Sequence, residues 1–163
     1  MRPGDGEATG CWQNLSMGRH RISTHVAASP ERTFGLWIDL DRMKDWVGGV
    51  TRVSDVSGPV AQAGTTYTVW FGRMPSRTEV LEADPPRLLR TRFGNRLLAG
   101  ESSASFIPEG DGTRIDQEFR TIGLLSNIMG RIFAMGSYRG SFQAELNEFA
   151  RIAAAEESAA TPS

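Results

Sequence analysis

Polar and apolar residues alternate along RHRISTHV (residues 19–26), with Ile22, Thr24 and Val26 on one face, and this period of two predicts a β-strand. The period then changes. In SPERTFGLWI (29–38), Ser29 suits an N-cap, Pro30 the first helical position and Glu31 the positive end of the helix dipole. Phe34, Trp37 and Ile38 share one helical face, so a short helix is expected there. Five or six strands follow, separated by SGP, FGRMPS, ADPP, FGN and EGDG. Tyr67, Val69 and Phe71 alternate with Thr66, Thr68 and Trp70. Leu89, Thr91 and Phe93 alternate with Arg90 and Arg92, and Ile115, Gln117 and Phe119 with Arg114, Asp116, Glu118 and Arg120. That is the pattern of an antiparallel sheet with one wet face and one covered face. On ESSASFIP (101–108) both faces are small and mixed, so its parity stays open. PEGDGT reads as a hairpin turn.

In the last block, Ile128, Ile132, Met135, Phe142, Leu146, Phe149 and Ala153 recur at steps of three and four, which predicts a helix. One helix over 125–155 would be roughly 46 Å long at 1.5 Å per residue, against roughly 30 Å for a nine-residue strand. A break is therefore expected at Gly130, Gly136 and Gly140, leaving a helix of roughly 29 Å over 137–155 to match the sheet. Gly136, Gly140 and Ala144 are spaced by four, either for close packing of helix on sheet or to leave space for a ligand. The apolar, glycine-hinged LLSNIMGRIFAM (124–135) is a helical segment that can also serve as a lid or interfacial piece. Residues 1–18 are Gly-rich and polar and read as a disordered tail, as do residues 156–163, leaving one domain over 19–155. Met17 offers an alternative start.

The stretch DLDRMKDW (39–46) gathers Asp39, Asp41 and Asp45 around a basic pair. Asp39 or Asp41 can cap a second short helix, with Leu40, Met43 and Trp46 along one side of it. Trp46 is expected to be buried at one end of the fold. Gly48 and Gly49 then let the chain turn into the next strand. Structural roles account for every residue here, so the three carboxylates are expected to cap or be solvated and not to converge on one point.

The segment ASPERTFGLWIDLDRMKDWVGGVTRV (28–53) resembles the opening of the START-like (SRPBCC) superfamily, in particular its polyketide cyclase/dehydrase-type branch. AGTTYTVWF (63–71), EADPPRLLRTRF (82–93) and PEGDGTRIDQEF (108–119) look like later landmarks of the same family. These are turns and anchors, specific for the fold and weak for activity, and they cover roughly residues 19–155. The resemblance implies an α+β, helix-grip fold of the Bet v 1-like or START-like kind. A curved antiparallel sheet wraps a long C-terminal helix, two short helices follow the first strand, and an apolar cavity lies between sheet and helix.

A chain of 163 residues forms one domain that can bury roughly 70% of its unfolded surface. A net charge of −1 and a pI near 6.1 supply no positive field for nucleic acid, and none is expected as a partner. Arg87, Arg90, Arg92 and Arg96 are a local exception. Without interleaved aromatics they read as a solvated strand face. Cys11 is the single cysteine, which excludes an intrachain disulfide and suits a reducing compartment. The N-terminus has no apolar h-region, and no run approaches the ~18 apolar residues of a membrane helix. A cytoplasmic protein without stable membrane insertion is expected.

His20 and His25 are five apart on a strand and point to opposite faces, and no zinc spacing occurs, so no metal is expected. No G-x-S-x-G, P-loop or G-x-G-x-x-G follows a strand, and no cofactor is expected.

Parity assigns to the covered face Tyr67, Val69 and Phe71, then Thr78 and Val80, then Leu89, Thr91 and Phe93, then Gln117 and Phe119. Tyr138 and Phe142 meet them from the helix. These are the candidate ligand-binding residues: apolar walls with a few hydroxyls and one amide, and no carboxylate or histidine. Gln117 is costly to bury between Ile115 and Phe119 unless it pairs with backbone, with water or with a ligand. The first functional expectation is a domain that binds or carries a small hydrophobic molecule (a lipid, polyketide or aromatic metabolite), with Gly140→Leu filling the space if Gly140 faces it. The resemblance alone implies an alternative, a polyketide cyclase or dehydratase acting on a related substrate in the same cavity. A third is an interaction module built on the Arg strand or the glycine-hinged segment. A buried, low-dielectric acid or base in the cavity would favour the second, and a filled interior the third.

Overall fold

The computed structural model describes residues 19–96, 99–122 and 138–160. Seven antiparallel strands form one curved sheet in the order β1-β7-β6-β5-β4-β3-β2. They are β1 Arg19–Val26, β2 Val50–Ser54, β3 Thr66–Phe71, β4 Met74–Asp84, β5 Leu88–Gly94, β6 Ala99–Glu109 and β7 Gly112–Thr121. Helix α1 (Pro30–Trp37) follows β1, and helix α2 (Tyr138–Ala160) is the long C-terminal helix. β2 to β7 are a continuous meander, while β1 pairs with β7 at the far edge. The chain from β1 to β2 must therefore cross the whole sheet, and α1 makes that crossing at one end of the concave face.

The helix-grip architecture expected from the sequence is present, with several corrections. Only one short α-helix follows β1. The second is a single 3₁₀ turn at Met43–Asp45, preceded by Arg42 with no side-chain cap. Asp39, not Asp41, does the local capping, because its Oδ1 accepts the Asp41 N–H at 3.2 Å. Asp45 is held by Arg42 at 2.6 Å, so the three carboxylates do not converge. Asp39→Ala should cost about 1 kcal/mol and Asp41→Ala less than about 0.5, read as the difference in urea midpoint. Equal losses from the two would reject this assignment.

The stretch read as the turn FGRMPS is shorter. Gly72 and Arg73 make the turn, and Pro75 already lies in β4 opposite Trp70. The open parity of 101–108 is resolved by register. Ser102 faces Thr91 and Phe119, Ala104 faces Leu89 and Gln117, and Phe106 faces Ile115, all on the concave side. A bulge between Val80 and Glu82 bends β4 and carries Ala83 back to that side, next to Leu89.

Helix α2 continues to Ala160, past the domain edge expected at Ala155, and Gly140 lies inside it without breaking it. Gly140 and Ala144 are exposed, on the side of the helix away from buried Leu146 and Phe149. They therefore neither pack on the sheet nor leave space against it. Gly130, Gly136, the 124–135 segment, the tails 1–18 and 161–163, and the side chain of Tyr138 lie outside the described residues.

The interior is anchored by rings from four elements. Phe149 of α2 packs on Trp37 and Trp46, each with centroids 5.0 Å away. Trp37 meets Phe106 of β6 at 5.5 Å, and Phe34 meets Phe106 at 5.3 Å. Trp46 is partly buried at this end, and no acceptor for its enclosed indole N–H is present among the described residues. Two ion pairs, Arg42–Glu156 at 2.7 Å and Arg32–Glu157 at 3.0 Å, tie the same end of α2 to the crossing segment. Along its length α2 packs chiefly on β1 and α1. Gln143 Nε2 donates to the Ser23 carbonyl at 3.0 Å, and Thr24 Oγ1 donates to Asn147 Oδ1 at 3.2 Å. The helix thus lies toward the β1 edge instead of over β3–β5.

Candidate functional site

The strand register sets the concave face in rows. One runs Tyr67–Thr78–Phe93–Gly100, a second Val80–Thr91–Ser102–Phe119, and a third Leu89–Ala104–Gln117–Ile22. All ten strand residues expected on the covered face occupy it. Tyr67, Val69, Thr78, Val80, Leu89 and Gln117 are buried, while Phe71, Thr91, Phe93 and Phe119 are half-buried. Phe142 meets them from the helix, stacked on Phe119 with centroids 4.6 Å apart. Phe93 lies across Gly100, where an added Cβ would sit 2.9 Å from its ring, so the missing side chain is what lets the ring lie over the neighbouring strand. One end of this face is therefore closed by the Phe34, Trp37, Trp46, Phe106 and Phe149 rings, and the other carries half-buried aromatics.

Polar groups on this face divide into paired and unpaired ones. Gln117 Nε2 donates to Ser102 Oγ at 3.3 Å, so its amide is answered by a neighbouring side chain and not by backbone. Tyr67 and Thr78 are direct cross-strand partners, and Ser76 pairs with Val69 beside them. The three residues are only 5%, 6% and 6% exposed. None of the three hydroxyls has a hydrogen bond among the described residues. Burial alone pushes the Tyr67 phenol above its ordinary value, with no charge or hydrogen bond contributing. Ser76 was missed by sequence reasoning because it fell in the stretch read as a turn. Extending the Thr78–Val80 alternation one step back would have found it.

Glu145 was missed as well. It sits on α2 one turn from Phe142, is half-buried, and accepts the Gly48 N–H at 2.9 Å. Burial pushes its carboxyl above the ordinary glutamate range, and the Gly48 hydrogen bond offsets part of that rise. Its partner is distant in the chain, so no local pattern could have signalled it.

The opposite face of the sheet is different in kind. It holds a concavity of about 470 Å³ lined chiefly by four arginines (Arg19, Arg21, Arg90, Arg120), three acids (Glu101, Asp116, Glu118) and the small Ser103 and Ser105, with Ser102 and Gln117 also reaching it. Its charges are cross-paired. Glu118 binds Arg19 and Arg21 at 3.1 and 2.8 Å, Glu101 binds Arg92 and Arg120 at 3.0 and 3.4 Å, and Arg90 binds Glu82 at 3.0 Å. Arg87 is likewise held by Asp84 at 2.9 Å. The arginine strand is thus a charge-balanced solvated face, with neither an apolar wall nor an unbalanced positive field to offer a ligand. Among the described residues no helix is long and apolar enough to cross a membrane.

Solved structures share this architecture. The MLL2253 protein of Mesorhizobium loti superposes with a TM-score of 0.68 at 11% identity, covering 83% of this chain and 96% of its own. TTHA0849 of Thermus thermophilus does so with a TM-score of 0.61 at 20% identity, covering 85% and 99%. DynU16, described from the dynemicin biosynthetic locus, has a TM-score of 0.64 at 15% identity, over 85% of this chain and 48% of that one. At these identities the likeness is one of fold. No protein of curated function matches the sequence significantly. Residues 17–154, nearly the whole of the domain laid out above, match a single family, and the chain belongs to it: polyketide cyclase / dehydrase and lipid transport.

Proposed function

We propose that this protein binds or carries a small, largely apolar molecule bearing a hydrogen-bonding oxygen, held between the concave face and helix α2. The observation that carries the reading is the trio Tyr67, Thr78 and Ser76: three buried residues on adjacent strands whose hydroxyls make no hydrogen bond among the described residues, set in a wall of Val69, Val80, Leu89 and Phe93. A hydroxyl that no protein group engages is available to a bound oxygen, and such a bond contributes about 0.5–1.5 kcal/mol. The family's description, which joins polyketides with lipids, is consistent with such a cargo. On this reading the protein works in the cytoplasm, without stable membrane insertion and without a nucleic-acid partner.

The test is native mass spectrometry of the purified protein for a co-purified small molecule, followed by displacement of 8-anilinonaphthalene-1-sulfonate by matched ligands with and without a keto or hydroxyl oxygen. The oxygenated ligand should bind about tenfold more tightly to wild type, and Tyr67→Phe should shrink that preference. Failure of wild type to bind the dye or any ligand would overturn the reading.

Cyclase or dehydratase chemistry is the second reading, and Glu145 is what favours it, as the half-buried carboxyl with a raised proton affinity beside Phe142. Turnover of a poly-β-keto probe that disappears in Glu145→Gln would support it, and an unchanged probe would leave binding alone.

A further inference from the structure

We propose that Glu145 is a latch, holding the 47–49 turn onto helix α2 and keeping the Phe71 end of the chamber shut, and that ligand enters when this bond opens. The proposal rests on the container reading for where the ligand sits and goes beyond it in naming the entrance. The turn has firm ends and a bare middle. Trp46 is fixed by its rings to Trp37 and Phe149, Val47 packs partly buried against the core, and Val50 is buried at the start of β2. Between them Gly48 and Gly49 are exposed and bring no side chain to bury. What joins this middle to the helix is the Gly48 N–H donated to Glu145 Oε1 at 2.9 Å.

The packing around that bond is specific. A Cβ on residue 48 would stand 2.9 Å from Oε1, so the carboxyl can reach the backbone because position 48 is glycine. Gly49 has φ +78, a conformation other residues rarely adopt, and its Cβ position lies 3.8 Å from the Phe71 ring. The turn is therefore a strap with the carboxyl on one side and a chamber residue on the other. Glu145 itself is otherwise unsupported. No charged group among the described residues contributes to its proton affinity, and its neighbours in charge are engaged elsewhere, Glu148 by Arg151 at 2.6 Å and Asp45 by Arg42 at 2.6 Å. Keeping a carboxyl half-buried without a cation is unfavourable, and its hydrogen bond to Gly48 is spent on this turn. One bond across two glycines is also weak enough to open on its own.

The experiment measures hydrogen exchange at the Gly48 amide by NMR, with stopped-flow association and dissociation of 8-anilinonaphthalene-1-sulfonate, in wild type, Glu145→Ala and Glu145→Gln. Removing the acceptor should speed Gly48 exchange about tenfold or more and raise both dye rates together, with the dissociation constant little changed. Glutamine keeps a carbonyl oxygen in place, so Glu145→Gln should stay near wild type in exchange and rates. That separates a latch from the proton-transfer role, which glutamine would abolish. Wild-type exchange at Gly48 in Glu145→Ala overturns the latch whether or not the dye binds. Accelerated exchange with unchanged dye rates shows the turn is held there but is not the entrance, and also overturns it. Absence of dye binding in wild type counts against the container reading and leaves Gly48 exchange to decide the bond.

Discussion

Phe149→Ala is expected to lower stability by about 3–5 kcal/mol while leaving the dye affinity of the folded protein unchanged. Phe149 is 0% exposed and touches both Trp37 and Trp46, which themselves lie 4.8 Å apart. Truncation removes the one ring that joins the helix to the crossing segment, and the surrounding rings are held by α1 and β6 and cannot collapse into the gap. A domain of this size has only about 5–15 kcal/mol to lose, so the effect should show as a large drop in urea midpoint at constant m-value. A loss under about 1 kcal/mol would mean that the ring cluster is not the anchor of the helix. Loss of dye binding at unchanged stability would mean that this end belongs to the chamber instead.

The contrast with the other aromatic pair is the reason for the test. Phe119 and Phe142 also join helix to sheet, but they are half-buried and stack face to face on each other with an interplanar angle of 20°. The two ends of the same helix thus carry different packing. One is a multi-ring plug enclosed by α1 and the 3₁₀ turn, and the other is a single stacked pair beside half-buried Phe71 and Phe93. Stability and binding are expected to separate along this line.

Which parts were legible in the sequence follows from the range of the interactions. Alternation over Tyr67–Phe71, Leu89–Phe93 and Ile115–Phe119 placed nine residues on the correct face, because side-chain period in a strand is a local property. Parity failed on 101–108, where Ser102, Ser103, Ala104 and Ser105 have no contrast in size or polarity, and only pairing with β5 and β7 decides them. The second short helix was overread because a Leu40–Met43–Trp46 stripe fits a 3₁₀ turn as well as an α-turn, and Arg42 before the turn supplies no side-chain cap. Gly140 misled because small-residue spacing gives a stripe without saying which way it faces. The apolar residues one step away, Phe142 and Leu146, already pointed to the opposite side. Glu145 could not be found at all, since its meaning depends on a glycine amide that the fold brings to it.

Thr91→Trp is expected to weaken dye binding by about a hundredfold, roughly 2.8 kcal/mol, while changing stability by less than about 1 kcal/mol. It replaces Gly140→Leu as the space-filling variant, because Gly140 is exposed and an added side chain there meets nothing. Thr91 sits mid-row on the concave face, between Val80 and Ser102, and is half-buried. Its hydroxyl makes no hydrogen bond among the described residues, so none is lost on replacement. An indole there would project over Ser102 toward the Phe119–Phe142 stack, into the volume that the reading assigns to the ligand. If that volume is open, the ring fills it and excludes the dye, and the fold tolerates it. If the interior is already filled, the same ring overpacks the sheet. Stability then falls by about 1–3 kcal/mol with no binding to lose. A urea titration and a dye titration on one preparation distinguish the two, and the second result would return the protein to the interaction-module reading.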